Sequence, residues 1–335
     1  FRRVLFRSIT RFICLVLASL CLVSVTRAQT AKPAAYPNKP VRIIVGFAAG
    51  GATDVVGRIV AQKLGEASGG SFIVENRPGA SATLAAEMVA KSVPDGYTLM
   101  IAATTSHSVM PGLTKLSYDP VRDFGAISQL ATSPLLLALH PSLPVRSIGD
   151  LAKLAKARPG QLTFGAGGTG TPPHLAGELF TRAAGLSAVH VPYKGAAAAA
   201  TDLIANEVQL MIIGYASLRG QIQGNLVRPI AVAASQRLAA LPNVPTVVES
   251  GFAAIDAELN RSWWGLFAPR GTPDLVIQRM AGEYRTALAD SEVQARLREA
   301  GLISIGNSPA EFASLLPDQA ARWQSIVKTL GLKFN

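Results

Sequence analysis

Pro40-Val41-Arg42-Ile43-Ile44-Val45-Gly46-Phe47-Ala48-Ala49-Gly50-Gly51-Ala52-Thr53-Asp54 is the stretch on which the fold turns. Residues 41–47 are a run of mostly β-branched apolar residues and predict a buried strand. The glycine turn that follows opens a helix predicted over 54–64. The same alternation continues outward. Strands are predicted at 72–75, 98–102, 135–139, 162–164, 189–191, 208–213 and 229–233, and helices at 82–91, 148–156, 173–184 and 196–204. Strands alternating with helices define an α/β protein with mainly parallel sheets flanked by helices. After Trp263-Trp264-Gly265-Leu266-Phe267 the chain reads as helices to its end. One of these is predicted to start at Thr272-Pro273, with Thr as cap, and another at the capping box Ser308-Pro309-Ala310-Glu311.

Two strand-to-helix turns carry the chemistry. The first contains Phe47, Ala48, Ala49, Gly50, Gly51 and Asp54. The second, Gly165-Ala166-Gly167-Gly168-Thr169-Gly170-Thr171, has the same setting roughly 115 residues later. Glycine lets a backbone approach a ligand, and a helix start presents unpaired N–H groups and the positive end of a dipole. One such turn is explained by tight-turn geometry alone; two in separate halves point to anion binding. Gly165, Gly167 and Gly170 also spell G-x-G-x-x-G. A dinucleotide site needs an acid at the end of the next strand, and Val189-His190-Val191-Pro192-Tyr193-Lys194 has none, so the match is accidental and no cofactor is expected.

Other constellations fail. His107, His140, His174 and His190 are not spaced as metal ligands, and no G-x-S-x-G elbow occurs. His140 reads as structural, and His174 either lines a pocket or caps the helix after the second glycine turn. Hydroxyls gather at Thr104, Thr105 and Ser106, where a parallel strand ends, the place at which open α/β sheets hold ligands. Lys194, at another strand end, either draws an anion or stays solvated.

The N-terminus reads as an export signal over 1–28: Arg2, Arg3, Arg7 and Arg11, then an apolar run over 12–25, then Thr26-Arg27-Ala28 as a cleavage site. That run is too short to span a bilayer. Cleavage takes five arginines and both cysteines, Cys14 and Cys21. It leaves 307 residues with 27 basic against 21 acidic, no disulfide and no thiol nucleophile. Lipid attachment at Cys21 is the alternative to a free chain beginning at Gln29. The remaining charges are scattered, without the basic, aromatic-interleaved stripe of a nucleic-acid binder.

Pro40 to Phe47 with Gly50-Gly51 and Asp54, Val74-Glu75-Asn76-Arg77-Pro78-Gly79-Ala80, Pro94-Asp95-Gly96-Tyr97-Thr98-Leu99 and Tyr118-Asp119-Pro120 together resemble the Bug-type solute receptors of tripartite tricarboxylate transporters. The likeness continues through His140-Pro141-Ser142-Leu143, Gly170-Thr171 with His174-Leu175-Ala176-Gly177, Val191 to Gly195, Leu241 to Thr246 and Gly271-Thr272-Pro273. It implies a type 2 periplasmic binding protein, monomeric and non-enzymatic, with two α/β lobes that close on a small carboxylate and deliver it to membrane permease subunits. Lobe one is expected at 37–135 and 236–335 and lobe two at 136–235, with crossings near 130–134 and 234–241. By position, the segment from Phe47 to Asp54 and Thr104 to Ser106 would line one wall, and Ala166, Gly168, Thr169 and Thr171 the other. The chain departs from the family at Ala166, usually Ser, which leaves more of the task to Thr171. It departs again at Ile213, often Asp, which implies a ligand without an amino group and with an apolar or aromatic body. The alternatives are a periplasmic sensor for a two-component system and, less favoured, a dinucleotide-dependent oxidoreductase.

Overall fold

The computed structural model describes residues 36–234, 236–252 and 262–332. The expected signal over 1–28, with Cys14 and Cys21, lies outside the described residues. The chain divides into two units, Phe1–Asn38 and Lys39–Asn335, and every element below belongs to the second.

Strand β1 (Val41–Val45), helix α1 (Ala52–Ser68) and strand β2 (Phe72–Asn76) form the opening βαβ unit, with β1 parallel to β2. Val56, Ile59, Val60 and Leu64 bury one face of α1 at helical spacing, each worth about 1.5–3 kcal/mol when fully covered. Helix α2 (Thr83–Ala90) leads to β3 (Thr98–Ala103), which flanks β1 in parallel on its other side. A π-helical turn over Thr105–Val109 and helix α3 (Met110–Leu113) follow, then the nine-residue strand β4 (Phe124–Thr132).

Ser133 and Pro134 carry the chain into a second sheet, starting with β5 (Leu135–Leu139). Leu135, Leu137 and Leu139 join one apolar cluster while Leu136 and Ala138 join another, the period-two pattern of a strand covered on both faces. The second lobe continues through α4 (Ile148–Ala157), β6 (Leu162–Ala166), α5 (Pro172–Ala183), β7 (Ala188–Pro192), α6 (Ala196–Ile204), β8 (Leu210–Gly214), α7 (Arg219–Gln223) and β9 (Arg228–Ala233).

The chain returns through β10 (Trp263–Pro269), which inserts between β3 and β4 and runs antiparallel to both. With β11 spanning Ile303–Ser304, the strand orders are β11-β4-β10-β3-β1-β2 and β7-β6-β8-β5-β9. The two-lobed α/β architecture is as expected, but both sheets are mixed. In each, a strand next to a crossing (β10, β5) enters against the direction of its neighbours. The two crossings are tied together where Ser133 N–H donates to the Ser262 carbonyl at 3.3 Å. The return comes later than the expected 234–241: Leu238, Leu241, Val244, Val247 and Phe252 still pack against second-lobe cores.

Helices α8 (Asp274–Leu288), α9 (Ser291–Glu299) and α10 (Pro309–Leu330) cover the first sheet. The capping box at Ser308 and Glu311 forms as read. The tail is not wholly helical, since β11 (Ile303–Ser304) pairs with β4. Nor does Thr272 cap α8: its hydroxyl donates to the Pro269 carbonyl at 2.8 Å, and Pro273 holds the N-cap. Trp323, Ile326, Val327 and Leu330 of α10 meet Val109 of the first lobe and Leu175 of the second in one apolar cluster.

Candidate functional site

The first glycine turn sits at the carboxyl end of β1, between two parallel neighbours, where a doubly wound sheet opens towards its ligand side. Its shape is set by Asp54, which is 3% exposed. The Asp54 carboxylate accepts from Gly50 N–H at 3.0 Å, Arg58 at 2.9 Å and the Asn76 amide at 2.9 Å; Asn76 also donates to the Phe47 carbonyl at 3.0 Å. Burial alone would raise the Asp54 pKa, but these bonds outweigh it and hold the carboxyl below its usual range. Gly50 adopts a φ of 84°, a conformation that costs glycine least. Gly50 and Asp54, both expected to touch ligand, therefore shape the loop from behind, while Phe47, Ala48, Ala49 and Gly51 face the cleft.

Of the three hydroxyls after β3, two reach the cleft and one does not. Thr104 Oγ1 accepts from Trp263 N–H at 2.8 Å and donates to the Trp263 carbonyl at 3.3 Å, which fixes the start of β10. Thr104 and Thr105 line the cavity. Ser106 is fully buried, bonded to the Ala103 carbonyl and lying 3.0 Å from His107 Nδ1.

The second glycine turn is likewise braced. The Ala166 carbonyl accepts from Tyr193 N–H, and the Gly168 carbonyl accepts from both the N–H and the hydroxyl of Thr171. Thr171 lines the cavity with its hydroxyl proton spent on Gly168, so it offers a ligand lone pairs rather than a proton in this arrangement. Gly170 N–H donates to His174 Nδ1 at 3.1 Å. The His174 ring stacks on His190 at 3.9 Å between centroids; burial, with His190 adding to it, pulls the His174 pKa down to about 4. A neutral His174 thus holds the turn as an acceptor and does not line the cavity. Ala166, Gly168 and Thr169 also stay out of the lining, and Gly167 takes their place.

These segments enclose a cavity of about 150 Å³ between the lobes, room for a body about the size of a benzene ring. Ile213 and Thr171 contribute to its lining from the second lobe. Sequence reasoning missed Ser133, Leu135, Gly195, Ala196, Ala197, Ser217, Ser262, Trp263 and Trp264. The pair Trp263-Trp264 was visible only as the start of the last third. The alanines after Gly195 are what helix propensity asks for, so nothing in their chemistry marks a site.

Three helix starts converge here, those of α1, α5 and α6. Their donors differ. Helix α5 begins Pro172-Pro173, residues without an N–H, so it offers a wall and a dipole. Helices α1 and α6 begin at Gly51 and Gly195 without a side-chain cap, leaving first-turn N–H groups for a ligand. Gly167 allows the close approach of α6: a Cβ there would lie 2.8 Å from the Ala196 nitrogen. Among the described residues no Asp, Glu, Lys, Arg or His lines the cavity. Among the described residues no His, Cys, Asp and Glu group is arranged to hold a metal.

Comparison with known proteins agrees with this geometry. The model of the tripartite tricarboxylate transporter family receptor matches residues 56–332. A UPF0065 protein from the tcbD-tcbE intergenic region of Pseudomonas sp. (strain P51) is 34% identical over 327 residues, covering 96% of this chain and 95% of the relative. The structure of Rpa4515 from R. palustris with adipate shares 34% identity and a TM-score of 0.84, covering 89% of this chain and 99% of that one. The structure of the periplasmic binding protein BugD shares 31% identity and a TM-score of 0.82, covering 89% and 99%. With the family pattern running from α1 past the end of α10, the chain belongs to the tripartite tricarboxylate transporter receptor family, as a Bug-type member with the fold of periplasmic binding proteins.

Proposed function

We propose that the protein is a periplasmic receptor, exported by the signal at 1–28, that closes its lobes on a small carboxylate and presents it to a membrane permease of the tripartite tricarboxylate type without converting it. One observation carries the reading: a cavity without an ionisable side chain among its described lining residues, in which uncapped helix starts from both lobes meet hydroxyls and aromatic surface. Such a site suits an anion, because N–H groups and helix dipoles stabilise negative charge without a counter-ion that would have to be desolvated. Phe47, Leu135, Ile213, Trp263 and Trp264 give it an apolar body, and Ile213 gives an ammonium group nothing to pair with. The ligand class is therefore a carboxylate with an aliphatic or aromatic body and no amino group. Adipate, seen with a relative, is the first candidate. Closure of the two lobes about the Ser133 and Ser262 crossings would bury the ligand and expel its water.

Thermal shift and calorimetry over adipate, malate, citrate, benzoate, aspartate and glutamate test this. A true ligand at 100 times its dissociation constant adds about 2.7 kcal/mol of stability. Adipate or benzoate is expected to raise the melting temperature and the amino acids to leave it unchanged. A flat response across the panel overturns the carboxylate reading, and tight aspartate or glutamate binding overturns the role given to Ile213.

A further inference from the structure

The most strained backbone among the described residues is Ala80-Ser81-Ala82, with φ of 44°, 54° and 71°. Three consecutive non-glycine residues in left-handed conformation are costly, and such strain persists only where the surroundings enforce it, commonly at working parts of a protein. The surroundings do enforce it. Ala82 is 2% exposed and packs where Gly46 is bare: a Cβ on Gly46 would lie 2.4 Å from the Ala82 Cβ. Ala82 N–H donates to the Gly79 carbonyl at 2.9 Å, and the Thr83 hydroxyl donates to the Ala80 carbonyl at 2.8 Å.

The product of this strained turn is one outward hydroxyl. Ser81 Oγ crosses from the first lobe to the second and donates to the Thr169 carbonyl at 3.0 Å. Thr169 belongs to the second glycine turn, whose neighbours Gly167 and Thr171 line the cavity. The first lobe grips that turn at a second point: Gly170, at φ 75°, lies so close to α3 that a Cβ would come within 2.6 Å of Leu113 and 3.3 Å of Met110. His174 holds the Gly170 N–H from behind, so the turn is pinned on both sides. Ser81 itself touches no part of the cavity.

We infer that Ser81 is the closure latch of this receptor, a positioning residue that holds the cavity wall of the second lobe against the first and sets how long a captured solute stays. The inference rests on the proposed capture of a solute between the lobes. It locates control of residence time outside the lining, in a hydrogen bond made only when the lobes meet.

The test has one readout with ligand and one without. The chain's three tryptophans, Trp263, Trp264 and Trp323, are 3%, 8% and 0% exposed, so acrylamide quenching of ligand-free protein reports opening. Ser81→Ala is expected to raise quenching and to speed adipate dissociation roughly 2- to 12-fold, the worth of one neutral hydrogen bond, with the ligand-free melting temperature unchanged. Ser81→Gly is expected to loosen closure equally while raising the melting temperature, because glycine adopts the left-handed conformation freely. Ser81→Asn tolerates that conformation and carries an N–H donor, so it should restore wild-type quenching. Wild-type quenching and dissociation in both Ser81→Ala and Ser81→Gly overturn the latch. A lowered melting temperature in Ser81→Ala with unchanged quenching also overturns it, since the residue then serves folding alone. If wild-type protein binds no adipate, that failure counts against adipate as ligand, and quenching alone decides the latch.

Discussion

The indole N–H of Trp264 donates to the hydroxyl of Thr53 at 2.9 Å, joining the start of β10 to the start of α1 across 211 residues of chain. Both residues are buried and both line the cavity. The bond orients one aromatic wall of the site and consumes one acceptor of the Thr53 hydroxyl.

Thr53→Val keeps the shape and removes the acceptor, leaving a buried N–H unpaired. The expected cost is about 1–3 kcal/mol in urea unfolding, accompanied by weaker ligand binding as Trp264 relaxes. Unchanged stability would show that the indole finds another partner.

Helix α6 supplies donors that α5 cannot, and this is directly testable. Ala197→Pro removes a first-turn N–H at a position proline tolerates, as Pro172-Pro173 of α5 illustrate. Carboxylate affinity is expected to fall about tenfold, on the scale of one hydrogen bond to a charged group, while the melting temperature changes little. Equal affinity in the variant would remove α6 from the anion site.

Ile213 is 2% exposed and faces the cavity. Ile213→Asp places an acid opposite a carboxylate ligand. Adipate binding is expected to weaken more than tenfold at pH 7, and Ile213→Asn, equally polar but uncharged, should weaken it less. Equal losses in the two variants would assign the effect to shape rather than charge.

Acid should destabilise the fold through its buried histidines. Burial lowers the pKa of His174 and His190 to about 4 and of His107 to about 3, against 6.5 for a free side chain. The unfolded chain therefore takes up protons first. Stability is full above pH 6.5 and declines as the pH falls from 6.5 towards 4. Between pH 7 and pH 5 the buried His107 and His174 are each expected to cost about 1–2 kcal/mol, and the half-buried His190 less. His174→Asn keeps an acceptor for Gly170 N–H and should remove one share of that loss in urea unfolding at the two pH values. An undiminished loss would mean that His174 does not titrate in this window.

Much of the fold is legible locally. A β-branched run, a glycine turn and an amphipathic stretch encode β1, the following loop and α1 through interactions within a few residues, and the Ser308 and Glu311 box marks the start of α10 for the same reason. Strand β4, with burial broken along its length, and β11, two residues long, carry no comparable pattern and exist because β10 and β4 offer them partners.

The sequence by itself determined the α/β class, the two glycine turns, the family and the lack of Arg and Lys in those turns, all properties of short segments. Only the tertiary structure decided which residues of each turn face the cavity. Asp54, Ser106 and His174 turn inward to brace the loops because their partners, Asn76, Ala103 and Gly170, lie there. The cavity is also lined by Ser133 and Ser262 of the two chain crossings, Gly195 of the second lobe and Trp264 of the first, residues far apart in the chain, and packing between lobes has no local trace in sequence.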